Sequence, residues 1–259
     1  MKKLSLLILC GAFMFASCSE KTSEPVEPAS ISYTFTSEID GTLVKATDSS
    51  FEVGDQIAVS AYTSDSYTDI FDEAVCYTYS GSVFDSETPI SISESGVAAF
   101  RAVYPYQSDV AEQFTFAVNE DQSTASGYTQ SDLMVAQTVT TAATEVNLSF
   151  SRVLSKVSVI LKDSSGSAIT DAEVSIYALS TVDADIAAGQ YTATGEAVEI
   201  KALNNQNGTY SAIVPSQTLA SSTTFVKVVS GSTTLTDEVS TDFTLESGYS
   251  YTFYITMAE

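Results

Sequence analysis

From Ile31 onward the chain alternates apolar and polar residues in short runs. Ile31, Tyr33 and Phe35 are interleaved with serine and threonine, the mark of a half-buried strand. A turn at Asp40–Gly41 leads through TLVKAT to FEVGDQIAVSAY. The same period returns in VCYTYS, VAAFRAVYPY, QFTFAV and DLMVAQ, and Asp-, Ser- and Gly-rich connectors part these runs. SDSYTDIFDEA is the one stretch of this half that reads as a short helix. A second series opens at EVNLSFSRVLSKVSVILKD, where Val146, Leu148 and Phe150 alternate, then Val157, Val159 and Leu161. The DSSGSA turn returns the chain into AEVSIYAL, and AVEIKAL, GTYSAIVP, TFVKVVSG, STTLTDEV and DFTL follow. In the closing run, YSYTFYITM, residues Tyr249, Tyr251, Phe253, Ile255 and Met257 share one face. Roughly fourteen short strands, with turn residues about every eight to twelve positions, predict an all-β chain of two tandem β-sandwiches. The expected spans are residues 31–145 and 146–259.

The first residues follow a different pattern. Lys2 and Lys3 precede an apolar run from Leu4 to Phe15, then the small Ala16 and Ser17, then Cys18. A basic start, a short apolar run and a small-residue cleavage site spell a secretory leader. The run is too short to cross a bilayer as a mature helix. A cysteine straight after the small residues predicts a lipoprotein signal peptide over 1–17, leaving Cys18 as a diacylated N-terminus that ties the protein to a membrane. Phe15 stands where leucine is usual, and bulky Leu9 makes Cys10 the poorer site. Residues 18–30 are polar and acidic with Pro25 and Pro28, an extended tether.

Charge and composition narrow the function. The formal charge is −23, and the two lysines lost with the leader make it −25. Such a surface repels phosphate backbones, so no nucleic-acid partner is expected. Only Cys76 remains beyond the leader and the lipidated position, so no internal disulfide is expected and Cys76 reads as a small core residue. The chain holds no histidine and no tryptophan. The first absence removes Ser-His-Asp and Cys-His catalysis and every histidine metal site. Asp65, Asp69, Asp72 and Glu73 offer oxygen ligands but lack calcium-loop spacing, and read as a solvated face. Ser155 and Lys156 are strand neighbours and point to opposite faces. No two carboxylates stand out as an acid–base pair. No enzyme, metal or cofactor is expected.

Taken in order, TLVKAT before FEVGDQIAVSAY, then AAFRAVYPY, SDLMVAQ, LSFSRVLSKVSVIL, IVPSQTL and ESGYSYTFYI resemble the fimbrillin family of Bacteroidetes, the subunits of type V pili. The resemblance spans nearly all of the chain after the leader. It implies two transthyretin-like (Greek-key) β-sandwich domains and a place at the outer membrane or in a fimbrium. The acidic residues after Cys18 also look like the surface-export signal of lipoproteins in that phylum. Partners would be other fimbrial subunits and a host or bacterial surface ligand. The family further implies proteolysis in the loop after the first strand, here carried onto Lys45–Ala46. The strand holding Ile31, Tyr33 and Phe35, expected at a sheet edge, would leave, and a neighbour's strand would fill the groove. Physically, a vacated groove exposes unpaired backbone groups and apolar surface, and an alternating strand satisfies both. Head-to-tail exchange of that kind builds filaments.

Two departures from the family pattern stand out. Relatives often carry arginine before the alanine, where this chain has Lys45, so an arginine-specific protease would not cut here. Ser151 and Arg152 stand where a histidine is frequent. YSYTFYITM is either the last core strand or the donor itself. The family's Gly-x-Tyr-x-Tyr ending favours the core strand, which implies a subunit that accepts a strand without donating one, suited to a tip or accessory place. The alternative is a surface glycan-binding lipoprotein, which needs an exposed aromatic platform and is disfavoured by the missing tryptophan.

Overall fold

The alternating runs pair almost wherever the period of two is clean. A computed structural model describes residues 31–40, 50–92, 97–110, 112–141 and 143–258. The first series forms β1 (Ile31–Ser32), β2 (Thr34–Ile39), β3 (Gln56–Tyr62), β4 (Ile70–Tyr79), β5 (Phe84–Asp85), β6 (Ser91–Ile92), β7 (Val97–Tyr104) and β8 (Gln113–Ala117). A single helical turn, α1 (Ala125–Thr129), precedes β9 (Met134–Thr141) and β10 (Glu145–Arg152). The second series forms β11 (Ser155–Asp163), β12 (Glu173–Asp185), β13 (Gln190–Lys201), β14 (Leu203–Asn204) and β15 (Thr209–Val214). It ends with β16 (Gln217–Leu219), β17 (Thr224–Ser230), β18 (Thr233–Glu238), β19 (Phe243–Leu245) and β20 (Ser250–Met257).

The all-β expectation holds. Seven strands of the first series close into a barrel in the order β10-β2-β5-β4-β3-β7-β9. Its interior is strongly aromatic, with Phe35, Tyr77, Phe84, Phe100 and Phe150 fully buried. The second series forms a four-stranded sheet, β14-β15-β11-β20, and a sheet ordered β13-β12-β17-β18. Val157, Val159 and Leu161 of β11 and Val174, Ile176 and Ala178 of β12 share one core between them. That core also takes in Phe116, Val118 and Leu133 from the first series, so apolar packing runs without a break from one half to the other.

Three expectations meet a different geometry. SDSYTDIFDEA forms bends and the start of β4. The register of β3 and β4 shifts twice there, and Ala74 sits at φ 50° with its N–H bonded to the Ser60 hydroxyl at 3.0 Å. A bulge of that kind breaks period two and so hides a strand. Residues 146–152, read as the head of the second sandwich, pair inside the barrel with β2 and β9. Conversely β8 leaves its own half and pairs with β12. Alternation fixes which face of a strand is buried, not which strand lies beside it.

The clean runs lie as expected. Val146, Leu148 and Phe150 are buried, and so are Ile255 and Met257 of β20. Tyr251 and Phe253 pack partly against the same core. Cys76 is half-buried, and desolvation raises its thiol pKa. Ser155 is buried and donates to Glu246 O at 2.8 Å, while Lys156 lies over the Tyr128 ring, its ammonium 5.7 Å from the centroid. The two neighbours therefore serve different surroundings, as their strand positions require.

Candidate functional site

β2 is short, and its two flanks differ. Along one side it runs parallel to β10, from Thr34 opposite Glu145 to Ile39 opposite Phe150. Thr34 N–H donates to Thr144 O at 3.0 Å and Asp40 N–H to Phe150 O at 2.8 Å, so both ends of that flank are tied. On the other side β2 meets only β5, through the single pair Phe35–Phe84. β2 thus sits inside the closed barrel, not at the edge that its place in the chain suggests. Its partner lies more than a hundred residues on, which a local reading cannot see.

Its inner face fills the barrel. Tyr33 and Phe35 are fully buried. The Tyr33 ring lies 4.8 Å from Phe100, and Phe35 lies 5.1 Å from Phe100 and 4.9 Å from Tyr77, all edge-on. Edge-to-face aromatic contacts add about 0.5–1.5 kcal/mol each beyond the area they bury. The outer face is polar: Thr36 donates to Asn147 at 3.3 Å, and Asn147 and Ser149 both donate to Glu38.

Where β1 passes into β2, Tyr77 holds the chain. Tyr33 N–H donates to Ile90 O at 3.2 Å. The Tyr77 hydroxyl accepts from Ile90 N–H at 2.8 Å and donates to Tyr33 O at 3.3 Å. Burial pushes this phenol up to about 12, so it stays a donor at any ordinary pH.

Near the far end of β2, Phe51 belongs to the same aromatic core. Its ring meets Phe84, Tyr104 and Phe150 at 5.0, 5.3 and 5.2 Å. Gly54, at φ 99°, shapes the turn that follows, with Asp55 accepting from Glu52 N–H at 2.8 Å and from the Tyr104 hydroxyl at 3.2 Å. Burial and the Asp55 charge hold the Tyr104 phenol well above its ordinary value. Arg152 closes this end of the barrel through an ion pair to Asp132 at 2.7 Å. Phe51 is therefore fixed independently of β2.

Of the residues singled out from the sequence, Tyr33 and Phe35 come together on the buried face of β2, and Ile31 opens β1 opposite Ile92. Cys18, Lys45 and Ala46 lie outside the described residues. Sequence reasoning missed the groove that receives β2, above all Tyr77, Phe100 and Phe51. The alternation in AAFRAVYPY already placed Phe100 on an inward face, but nothing local named its partners. Among the described residues no group of three or more acidic or cysteine side chains is placed to hold a metal ion, and no helix is long and apolar enough to cross a membrane.

The fold has close counterparts among solved structures. A candidate cell adhesion protein of Bacteroides uniformis is similar with a TM-score of 0.67 at 19% identity, covering 91% of this chain and 95% of that one. A second, from Bacteroides ovatus, has a TM-score of 0.68 at 18% identity, covering 88% and 92%. A fimbrial protein of Bacteroides ovatus is similar with a TM-score of 0.53 at 19% identity, over 89% of this chain and 50% of that one. No curated protein matches. The family model described as fimbrillin-like matches residues 44–259, nearly the whole span after the first strands. The chain belongs to the fimbrillin-like family.

Proposed function

We propose that this protein is a cell-surface fimbrial adhesion subunit that assembles by exchange of its β2 strand, and that it is not an enzyme. The observation that carries the reading is the lopsided pairing of β2: a full ladder to β10 on one flank, a single pair to β5 on the other, and two aromatic side chains fully buried. Removing β2 breaks one ladder and leaves β3, β4, β7 and β9 paired as they were. The groove left behind is lined by Phe100, Tyr77 and Phe84, with the unpaired edge of β10 beside it. An incoming strand with alternating aromatics restores both the apolar contacts and the ladder. The family match spans residues 44–259 and leaves β2 outside it, which is compatible with a strand that departs. Relatives in the fold bear the names of fimbrial and adhesion proteins.

In this proposal Cys18 carries the lipid that brings the chain to the outer membrane, and cleavage between Lys45 and Ala46 frees β2 with that lipid. Phe51 then keeps the new N-terminal stretch anchored five residues in. β20 is engaged with β11 from Lys156–Ser250 to Asp163–Met257, which supports its reading as a core strand rather than a spare donor. That suits a tip or accessory place.

The test is cleavage of the purified protein with a lysine-specific protease, followed by addition of a labelled peptide copying residues 31–40. The cut protein should release its own β2 slowly and take up the peptide. A peptide with alanine at the Phe35 position should bind far more weakly, since a buried Phe→Ala costs about 3–5 kcal/mol. Uptake equal for both peptides, or by the uncut protein, would count against strand exchange.

A further inference from the structure

On the outside of the barrel, away from the β2 groove, Arg101 is buried in a way that its surroundings do not fully satisfy. Inward-facing Phe100 and Ala102 flank it on β7, so its side chain points outward, beside Tyr62 of β3 and opposite Gln137 of β9. The guanidinium carbon lies 4.6 Å from the Tyr67 ring centroid and 5.1 Å from that of Tyr62, and the two rings meet edge-on at 5.4 Å. One terminal nitrogen donates to Glu112 at 2.6 Å and to the Tyr62 hydroxyl at 3.4 Å. The side chain is only 8% exposed, yet its Nε has no hydrogen-bond partner among the described residues. A buried charged donor left unmatched is costly and rare, so the arrangement around Arg101 calls for a reason beyond packing.

The guanidinium lines an open cleft of about 880 Å³. Tyr67, Glu112, Gln113 and Gln137 line it as well, with Ser66 and Thr68 at its mouth. The walls come from both halves of the protein. Gln137 donates to Ile186 O at 3.1 Å and Gln113 to Asp185 at 2.7 Å, which takes one N–H of each amide and fixes its orientation, with a second N–H and an oxygen still on each side chain. Tyr67 is held at φ 57°, a backbone conformation that costs energy for a residue with a side chain.

We propose that this cleft binds a neutral carbohydrate, with Tyr67 as the stacking surface and Arg101, Glu112, Gln113 and Gln137 as partners for paired sugar hydroxyls. The volume is in the range of small-ligand sites. Planar side chains with two donors or acceptors suit vicinal hydroxyls, and an aromatic ring suits the C–H face of a sugar. An anionic sugar is disfavoured, because Glu112 and Asp185 already answer the positive charge of Arg101 in a strongly acidic protein. A cationic ligand is disfavoured by Arg101 itself, whose guanidinium already lies over one face of each tyrosine ring and leaves the other face of Tyr67 for a sugar. As the ligand site of an adhesion subunit, the cleft rests on the reading above, but it is complete in a single chain and needs no exchanged strand.

The experiment is a glycan array on the monomeric full-length protein, followed by calorimetry with the best neutral oligosaccharides and their sialylated counterparts. Neutral oligosaccharides should bind in the micromolar to millimolar range. Tyr67→Ala and Gln137→Ala should each weaken binding on the order of tenfold or more, with thermal melting close to wild type. Because Arg101→Gln would strip a buried ion pair and cost stability, these two variants carry the result. A strand-exchange defect with intact sugar binding would fault the assembly reading alone. Preference for sialylated glycans, equal binding by both variants, or no neutral glycan bound at millimolar concentration would overturn the proposal.

Discussion

Tyr77 joins three parts of the barrel through one oxygen: it receives Ile90 N–H, donates to Tyr33 O, and presents its ring edge to Phe35. The same burial that makes this possible favours the neutral phenol. Tyr104 is raised for the same reason, reinforced by Asp55. A phenol whose folded pKa lies above its unfolded value of about 10 contributes stability that is complete below that pH and lost as pH climbs through the folded value. At the acid end the exposed carboxylates of Asp163 and Asp185 are held below their ordinary range, the first chiefly by the Ser165 hydroxyl and the second by Ala188 N–H. Their contribution is present above an unfolded pKa of about 3.9 and fades as pH falls through the lower folded values. With no histidine to titrate between these limits, the melting temperature should be flat from about pH 5 to 9, and should drop at both ends. A pH series of thermal melts checks this. Phenolate absorbance, undisturbed by tryptophan, should show a class of tyrosines ionising only near pH 12 and together with unfolding. A sharp change in stability near pH 6.5 would contradict the assignment.

Strands β8 and β12 show what binds the two series together. β12 runs from Glu173 to Asp185, takes β17 beside its first residues and β8 beside its last, and has β13 along the opposite flank. After β8, the chain lays Gln122 against β15, where its amide nitrogen donates to Ile213 O and its oxygen accepts from Ile213 N–H, both at 2.8 Å. The side chain is fully buried and stands in for a strand neighbour. Gln122→Leu keeps the volume but strips both partners, and each unmatched backbone group costs about 1–3 kcal/mol. Chemical denaturation should show a loss of about 3 kcal/mol, and no loss would mean that water replaces the amide. The sequence announced neither feature. Period two was legible in β10, β11 and β20, where one face is mainly apolar and the other mainly polar, and in β3 and β7, where large and small or polar residues alternate although both faces are buried. It was illegible in the first half of β4, where the bulge at Ala74 shifts the phase ahead of VCYTYS, and in the partners of β2, β8 and β10. Those pairings join residues far apart in the chain, and alternation carries no information about distance. The site was half legible for the same reason: Tyr33 and Phe35 declare themselves, whereas Tyr77, Phe51 and the Arg101 cleft exist only once remote strands meet.

At the scale of the molecule, the two terminal strands share one arrangement. β2 lies parallel to β10, and β20 lies parallel to β11, which follows β10 after the buried Val153 and Leu154. A pull on the N-terminal end of β2 is resisted at the opposite end of β10, where the chain continues into β11. A pull on the C-terminal end of β20 is likewise resisted at the starting end of β11. Both ladders are therefore loaded along their length, and their hydrogen bonds must fail together. For a protein tethered by one end on a cell surface and drawn by the other, that is the resistant direction. The turn at Ser165 offers the contrasting case, because β11 ends at Asp163 opposite Met257, the last residue of β20. Tension between Ser165 and Met257 would peel β20 away one bond at a time. Forced unfolding reports the unfolding barrier, not the equilibrium stability, so the same molecule should give two different answers. Single-molecule pulling through residues 31 and 257 should require markedly higher force than pulling through residues 165 and 257. After cleavage at Lys45 and removal of β2, pulling through residues 51 and 257 should keep the high-force β11–β20 event and lack the β2 event. Equal rupture forces in the two geometries would show that the parallel ladders do not carry the load.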